Sequence, residues 1–213
     1  MKMNKKKLAV VSLVLCVAAI ISMNTLAWFT DNDSIVNEFN FVDDFAVDIY
    51  ETNEEGEKVG VEGDTTGLTF ENVLPGQTLH KDPTVLNKSS VESMWVKMTV
   101  TVSNGNVWRD GFLGAGASLQ NLFLGYEDEL WAHPDDVTLD ENNNLVAVFY
   151  LKDKLAPGAE VKLFEEVYIH SALTKEVAAL LDGTTLTVKA DVVQTTAFPA
   201  EDCISAFALV EGN

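Results

Sequence analysis

Cysteine, histidine and positive charge are all scarce in this 213-residue chain: two cysteines, three histidines, and 14 Lys+Arg against 33 Asp+Glu for a formal charge of −19. Each scarcity excludes something. So acidic a chain repels nucleic acid and anionic lipid, which removes DNA, RNA and phosphate-rich surfaces as partners. His80, His133 and His170 lie tens of residues apart, so the helical zinc-protease pattern, two His one turn apart with a Glu beside the first, is absent. Gly114-Ala115-Gly116-Ala117-Ser118 lacks the residue-then-Gly that completes a nucleophile elbow and reads as a flexible loop. None of Asp31-Asn32-Asp33, Asp135-Asp136 and Asp140-Glu141-Asn142 belongs to a twelve-residue EF-hand pattern, and all three read as solvated loops. Cys203 sits beside Glu201 and Asp202, neighbours that raise a thiol's pKa rather than activate it. No catalytic residue, metal site or cofactor is expected, and the expectation is of a protein that is not an enzyme.

The few lysines are unevenly placed. Lys2, Lys5, Lys6 and Lys7 precede an uncharged run over residues 8–21, about 14 residues and short of the roughly 20 that a spanning helix needs. Basic start, short apolar run and the small Ala27 after a polar break describe a signal peptide, residues 1–27, cut between Ala27 and Trp28. In Leu13-Val14-Leu15-Cys16 the bulky Leu15 stands where a lipoprotein site needs a small residue directly before the Cys. Residues 1–27 hold four lysines and no acid, so cleavage takes the formal charge from −19 to −23 over 186 residues and leaves Cys203 as the only thiol. An exported chain of this kind has no internal disulfide and depends on its core. Residues 28–213 are long enough for one domain, and no Pro- or Ser-rich linker or internal repeat divides them.

What fills that domain is strand. Met94, Val96, Met98, Val100 and Val102 alternate with Trp95, Lys97, Thr99 and Thr101, a period of two with one face in a core. The same reading picks out residues 35–41, 45–50, 145–151, 161–169 and 185–193. Turn signals separate them: Glu54-Glu55-Gly56, Leu74-Pro75-Gly76, Asn142-Asn143-Asn144 and Ala156-Pro157-Gly158. Short strands at this spacing predict an all-β, antiparallel two-sheet sandwich. Helix is minor: Thr174 caps a predicted helix over 175–181 that Asp182-Gly183 ends, and 119–124 and 200–208 each suit one or two turns.

Several segments carry a resemblance. Ala27-Trp28-Phe29-Thr30-Asp31 is similar to the junction of Gram-positive proteins processed by the SipW-type signal peptidase, in which Ala precedes an aromatic, then a small residue and Asp. Leu74-Pro75-Gly76 followed by Lys81-Asp82-Pro83-Thr84-Val85-Leu86-Asn87, then Leu155-Ala156-Pro157-Gly158 with Leu163-Phe164, and Val188-Lys189-Ala190-Asp191-Val192-Val193-Gln194 follow in order. Together they resemble the TasA/camelysin group of secreted biofilm-matrix proteins over most of the chain. Val42-Asp43-Asp44 stands where relatives usually have a Gly. The resemblance implies a jelly-roll-like sandwich that leaves the cell, associates with itself and with other matrix proteins or polysaccharide, and builds extracellular fibres.

The assembling element is expected at the mature N-terminus. Phe29, Ile35, Phe39 and Phe41 fall on one face of the segment that Trp28 opens, against Asn32, Ser34, Glu38 and Asn40 on the other, and such a strand can pair with the sheet edge of the next molecule. Two other functions remain open at the level of sequence. Exposed Trp95, Trp108 or Trp131 would make a carbohydrate- or surface-binding module, with Trp95, on the polar side of its strand, the best platform. A metalloprotease, the activity that the name camelysin records, would need the three His to converge from separate strands.

Overall fold

The computed structural model describes residues 30–33, 46–61, 67–114, 122–133 and 137–211. The chain divides into two units, Met1–Thr30 and Asp31–Asn213, and apart from Thr30, the first residue of β1, all that follows concerns the second. In order, the elements are β1 (Thr30–Asp33), β2 (Val47–Thr52), β3 (Lys58–Val59), β4 (Thr78–His80), β5 (Thr84–Asn87), β6 (Met94–Val102), α1 (Gly105–Gly114), β7 (Phe123–Leu124), β8 (Trp131–Ala132), β9 (Thr138–Leu139), β10 (Leu145–Leu151), β11 (Glu160–Lys162), β12 (Glu166–Tyr168), α2 (Lys175–Leu180), β13 (Leu186–Gln194) and α3 (Cys203–Glu211). The strands form three antiparallel sheets rather than the two the sequence reading expected, and the molecule is mostly β with few helices.

The largest sheet is built around the alternating run at 94–102. β6 pairs with β13 from Leu186 opposite Val102 to Gln194 opposite Met94, and with β10 from Leu145 opposite Val102 to Tyr150 opposite Lys97. The full order is β1-β13-β6-β10-β8, with β9 also on β10. Burial follows the pleat: Met94, Val96, Met98, Val100 and Val102 are 0–1 % exposed, and Leu145, Ala147, Phe149 and Leu151 are buried on the neighbouring strand. A second sheet has the order β11-β5-β2-β3 and a third β4-β12-β7. Val47 of β2, Val85 of β5 and Val167 of β12 join the inward residues of the large sheet in one apolar cluster.

The turns close for specific reasons. Between β9 and β10, Asp140 accepts hydrogen bonds from Asn142 N (2.9 Å), Asn144 N (2.8 Å) and Asn144 Nδ2 (2.9 Å). The bond from the Asn144 backbone is the main reason its carboxyl titrates below the usual range. Asn53 does the same for the β2–β3 hairpin, accepting from Glu55 N and Glu57 N, and Gly56 supplies the positive φ of 80° that this turn requires. Thr174 caps α2 through its hydroxyl, which accepts from Val177 N at 3.3 Å, as the sequence predicts.

Three elements differ from the sequence reading. Residues 161–169 are not one strand but β11 and β12, which belong to different sheets. Leu163 and Phe164 between them are 1 % and 0 % exposed, and two successive side chains cannot share one face of a continuous strand, so the chain bends. The described part of 119–124 is strand β7, not helix. α1 is the reverse case, a helix where the sequence suggested none, because Gly105, Gly111 and Gly114 depress helix propensity. Packing overrides them: Trp108 and Phe112, one turn apart, stack at 5.1 Å between ring centroids and are 7 % and 0 % exposed. Two of the glycines are there for room, since a Cβ on Gly105 would lie 2.0 Å from Leu145 N and one on Gly111 would lie 2.7 Å from Val177 Cγ1.

α3 starts at Cys203, where Asp202 Oδ1 accepts from Ser205 N at 2.7 Å, and runs to Glu211, later at both ends than the segment the sequence suggested. It lies on the second face of the large sheet. Cys203, Ala206 and Phe207 pack there on Trp95 and its cross-strand partner Val193 as a separate apolar cluster. Lys97 Nζ pins the helix from below through Glu211 Oε1 and sits 4.6 Å over the Phe207 ring. The predicted strand at 35–41 lies outside the described residues.

Candidate functional site: the sheet edge beside the N-terminal strand

β1 has the sequence Thr-Asp-Asn-Asp, of which Asp and Asn have little strand preference of their own, yet it occupies the outermost place in the large sheet, beside β13. β13 is nine residues long and β1 four. A four-residue strand can cover at most four positions of that edge, and among the described residues no other strand lies on that side of β13. The result is a long central strand with part of its hydrogen-bonding edge beyond the reach of its terminal neighbour, the geometry that strand addition from another chain uses. Charge marks the same strand: Asp191, 6 % exposed, has Oδ1 at 2.8 Å from Lys189 Nζ and Oδ2 at 3.6 Å from Lys97 Nζ.

Of the residues assigned to assembly by sequence, Trp28, Phe29, Ile35, Phe39 and Phe41 lie outside the described residues, as does Ala27 at the expected cleavage point. The described strand next to them in sequence is β1 itself. Asp31-Asn32-Asp33, read as a solvated acidic loop, is thus part of a strand.

The exposed tryptophans expected of a sugar-binding surface are not found: Trp95, Trp108 and Trp131 are 2 %, 7 % and 1 % exposed. Trp95 does project from the face opposite Met94 and Val96, as the alternation indicates, but α3 covers that face and Lys154 Nζ stands 5.2 Å from the ring. Trp131 donates Nε1–H to Lys162 O at 3.0 Å and is a core residue. A strand's alternation tells which two faces exist, not whether a later segment returns to cover the second.

The histidines sit in three separate surroundings. His80 Nε2 is 3.0 Å from Thr52 Oγ1, His133 Nε2 is 3.7 Å from Asp128 Oδ1, and the His170 ring lies against Phe112 and Tyr168. Among the described residues there is no group of three or more His, Cys, Asp or Glu that could hold a metal ion. Ser118, Asp135 and Asp136 are outside the described residues. Burial, aided by Asp202, pushes the Cys203 thiol up to about 12, and its Sγ–H donates to Val96 O at 3.2 Å. In protein of residues 28–213, whose single thiol it is, Cys203 is therefore expected to resist a thiol reagent at pH 8 while folded. Ellman's reagent should titrate about one thiol per chain only after denaturation, and rapid reaction of the folded protein would refute the packing of α3.

The sequence reading quoted 81–87 only for its likeness to a family and gave its residues no work to do. In the structure, buried Asp82 accepts from Thr52 N at 2.6 Å and Thr52 Oγ1 at 2.7 Å, and Lys81 Nζ pairs with Glu51 Oε1, so both clamp the start of β5 to β2. At the strand's other end Asn87 is wholly buried and ties four backbone groups. A polar residue at each end of an apolar strand is the signal that could have found them.

Comparison with protein-family models, with curated proteins and with solved structures finds no match.

Proposed function

We propose that this chain is a secreted, non-enzymatic structural protein that assembles with copies of itself into extracellular biofilm-matrix fibres. In this reading residues 1–27 are a signal peptide removed by a SipW-type peptidase, residues 28–213 fold as a jelly-roll-like sandwich, and the freed N-terminal strand pairs with the sheet edge of the next subunit. The observation that carries it is the position of β1. The strand that follows the expected cut by two residues is the terminal strand of the largest sheet and is shorter than the β13 edge it borders. A chain end in that place can be exchanged for the corresponding end of another molecule, and head-to-tail exchange propagates unless a rotation closes it. The burial of all three candidate tryptophans leaves the carbohydrate-binding alternative without its platform.

Two measurements test the proposal. Intact mass of the protein from culture supernatant should give a start at Trp28, and a start upstream of Ser22 or a lipid-modified Cys16 would overturn it. Electron microscopy of that protein across a pH series should show filaments, more of them as pH falls toward the sequence pI of about 4.3, because protonation lessens repulsion between subunits of formal charge −23. A monodisperse monomer at every pH contradicts self-assembly.

A further inference from the structure

A cavity of about 760 Å³ opens between the three-stranded sheet, α1, α2 and the segment 67–73. Val102, Trp108, Val167, Ile169, Leu173 and Leu186 form its apolar lining. That volume falls within the roughly 300–1,000 Å³ of small-molecule sites. The cavity is open to solvent, and the larger part of its surface is apolar. The wall made by 67–73 contains no helix or strand, and among the described residues it makes no backbone–backbone hydrogen bond. Phe70 and Val73, both lining the cavity, are 38 % and 37 % exposed. This wall is therefore not part of any sheet.

Charge narrows the ligand. The charged lining residues are Lys81 and Asp182; Lys81 is already paired with Glu51, so it offers no free cation to an anionic head group, and the acidic chain repels one. Hydroxyl groups remain at the edge. Thr184 Oγ1 accepts from Asn104 Nδ2 at 3.2 Å, which leaves the hydroxyl's own proton to donate. We propose that the cavity binds a free, uncharged amphiphile: an aliphatic chain ending in a hydroxyl or carbonyl oxygen, the chain on the Val/Leu/Ile floor and the oxygen at Thr184.

The test uses the mature protein and phenylnaphthylamine, a neutral dye that brightens in apolar sites. Saturable brightening with about one dye per folded chain is expected, and decanol should displace the dye at concentrations roughly tenfold below those needed for decanoate, because a carboxylate must be desolvated without a partner. Ala178→Phe, which fills the cavity from α2, should weaken dye binding roughly tenfold with the folded circular dichroism retained. A measurement free of any substitution accompanies it: decanol should shift the methyl NMR signals of Val102, Val167, Ile169 and Leu173 and leave those of the α3 face unmoved. Absence of saturable brightening, displacement by decanoate as good as by decanol, or shifts confined to the α3 face would each overturn the assignment.

Discussion

Mature protein lacking residues 28–34 is expected to remain folded and to form no filaments. The deletion removes β1, which occupies the last place in its sheet, and leaves the core strands β6, β10 and β13 with their mutual pairing. A four-residue edge strand contributes few hydrogen bonds, each worth about 0.5–1.5 kcal/mol net, so thermal unfolding should move down by only a few degrees. Assembly should respond very differently. If the strand of one molecule completes the β13 edge of the next, removing it takes the donor from every subunit at once, and no concentration of truncated protein replaces it. Filament mass by sedimentation should fall at least about a hundredfold, beyond what a modest change in contact energy gives, since each 1.4 kcal/mol is a factor of ten. A synthetic peptide of residues 28–41 added to full mature protein should cap growing ends and shorten filaments. Filaments from the truncated protein at the ordinary rate would falsify donor-strand pairing while leaving the cavity and its ligand class untouched, because the described residues removed, Thr30–Asp33, do not line it.

The strands that could be read from sequence are those whose two faces differ. Residues 94–102 alternate cleanly and emerge with those bounds, as does 145–151, a short apolar run rich in β-branched and aromatic residues, and 185–193 shifts by one residue. The cap at Thr174 is a local hydrogen bond and needs no tertiary information. Failure came wherever a distant segment decides. Trp95 lies on the side predicted for it, but its burial depends on a helix about a hundred residues further on. α1 exists because Trp108 and Phe112 have a core to enter and because Gly105 and Gly111 allow close approach, facts that its glycine-rich sequence hides. The break between β11 and β12 was visible in principle, since Leu163-Phe164 interrupts the period of two. For the candidate site, the sequence pointed to residues 28–41 through their alternation, and most of these lie outside the described residues. It could not place β1 beside β13, because which strands are neighbours in a sheet is a property of topology, not of local pattern.

Asn87→Ala is expected to produce the largest loss of stability of any single polar substitution in this core, about 3–5 kcal/mol. The side chain is 0 % exposed. Its Nδ2 donates to Glu92 O at 2.9 Å, Leu155 O at 3.1 Å and Ala156 O at 3.1 Å, and its Oδ1 accepts from Ser89 N at 2.9 Å. Its own backbone exchanges bonds with the turn at 156–159, Asn87 N to Ala159 O at 2.9 Å and Gly158 N to Asn87 O at 3.0 Å. One residue thereby holds the end of β5, the 88–93 connection and the turn after Leu155 in register, and alanine would leave backbone groups around it without partners, each costing about 1–3 kcal/mol if still buried. Asn87→Asp separates hydrogen bonding from shape. An ionised carboxylate of the same size would face three carbonyl oxygens with nothing to donate, so its pKa must rise on folding. A raised native pKa means stability that is present at low pH and lost as pH rises through it; relative to wild type, Asn87→Asp should therefore be least stable at neutral pH and recover part of the loss toward pH 4. Urea denaturation followed by tryptophan fluorescence at both pH values measures this. An Asn87→Ala midpoint within about 0.5 kcal/mol of wild type, or an Asn87→Asp deficit that grows as pH falls, would show that Asn87 does not hold these three segments together.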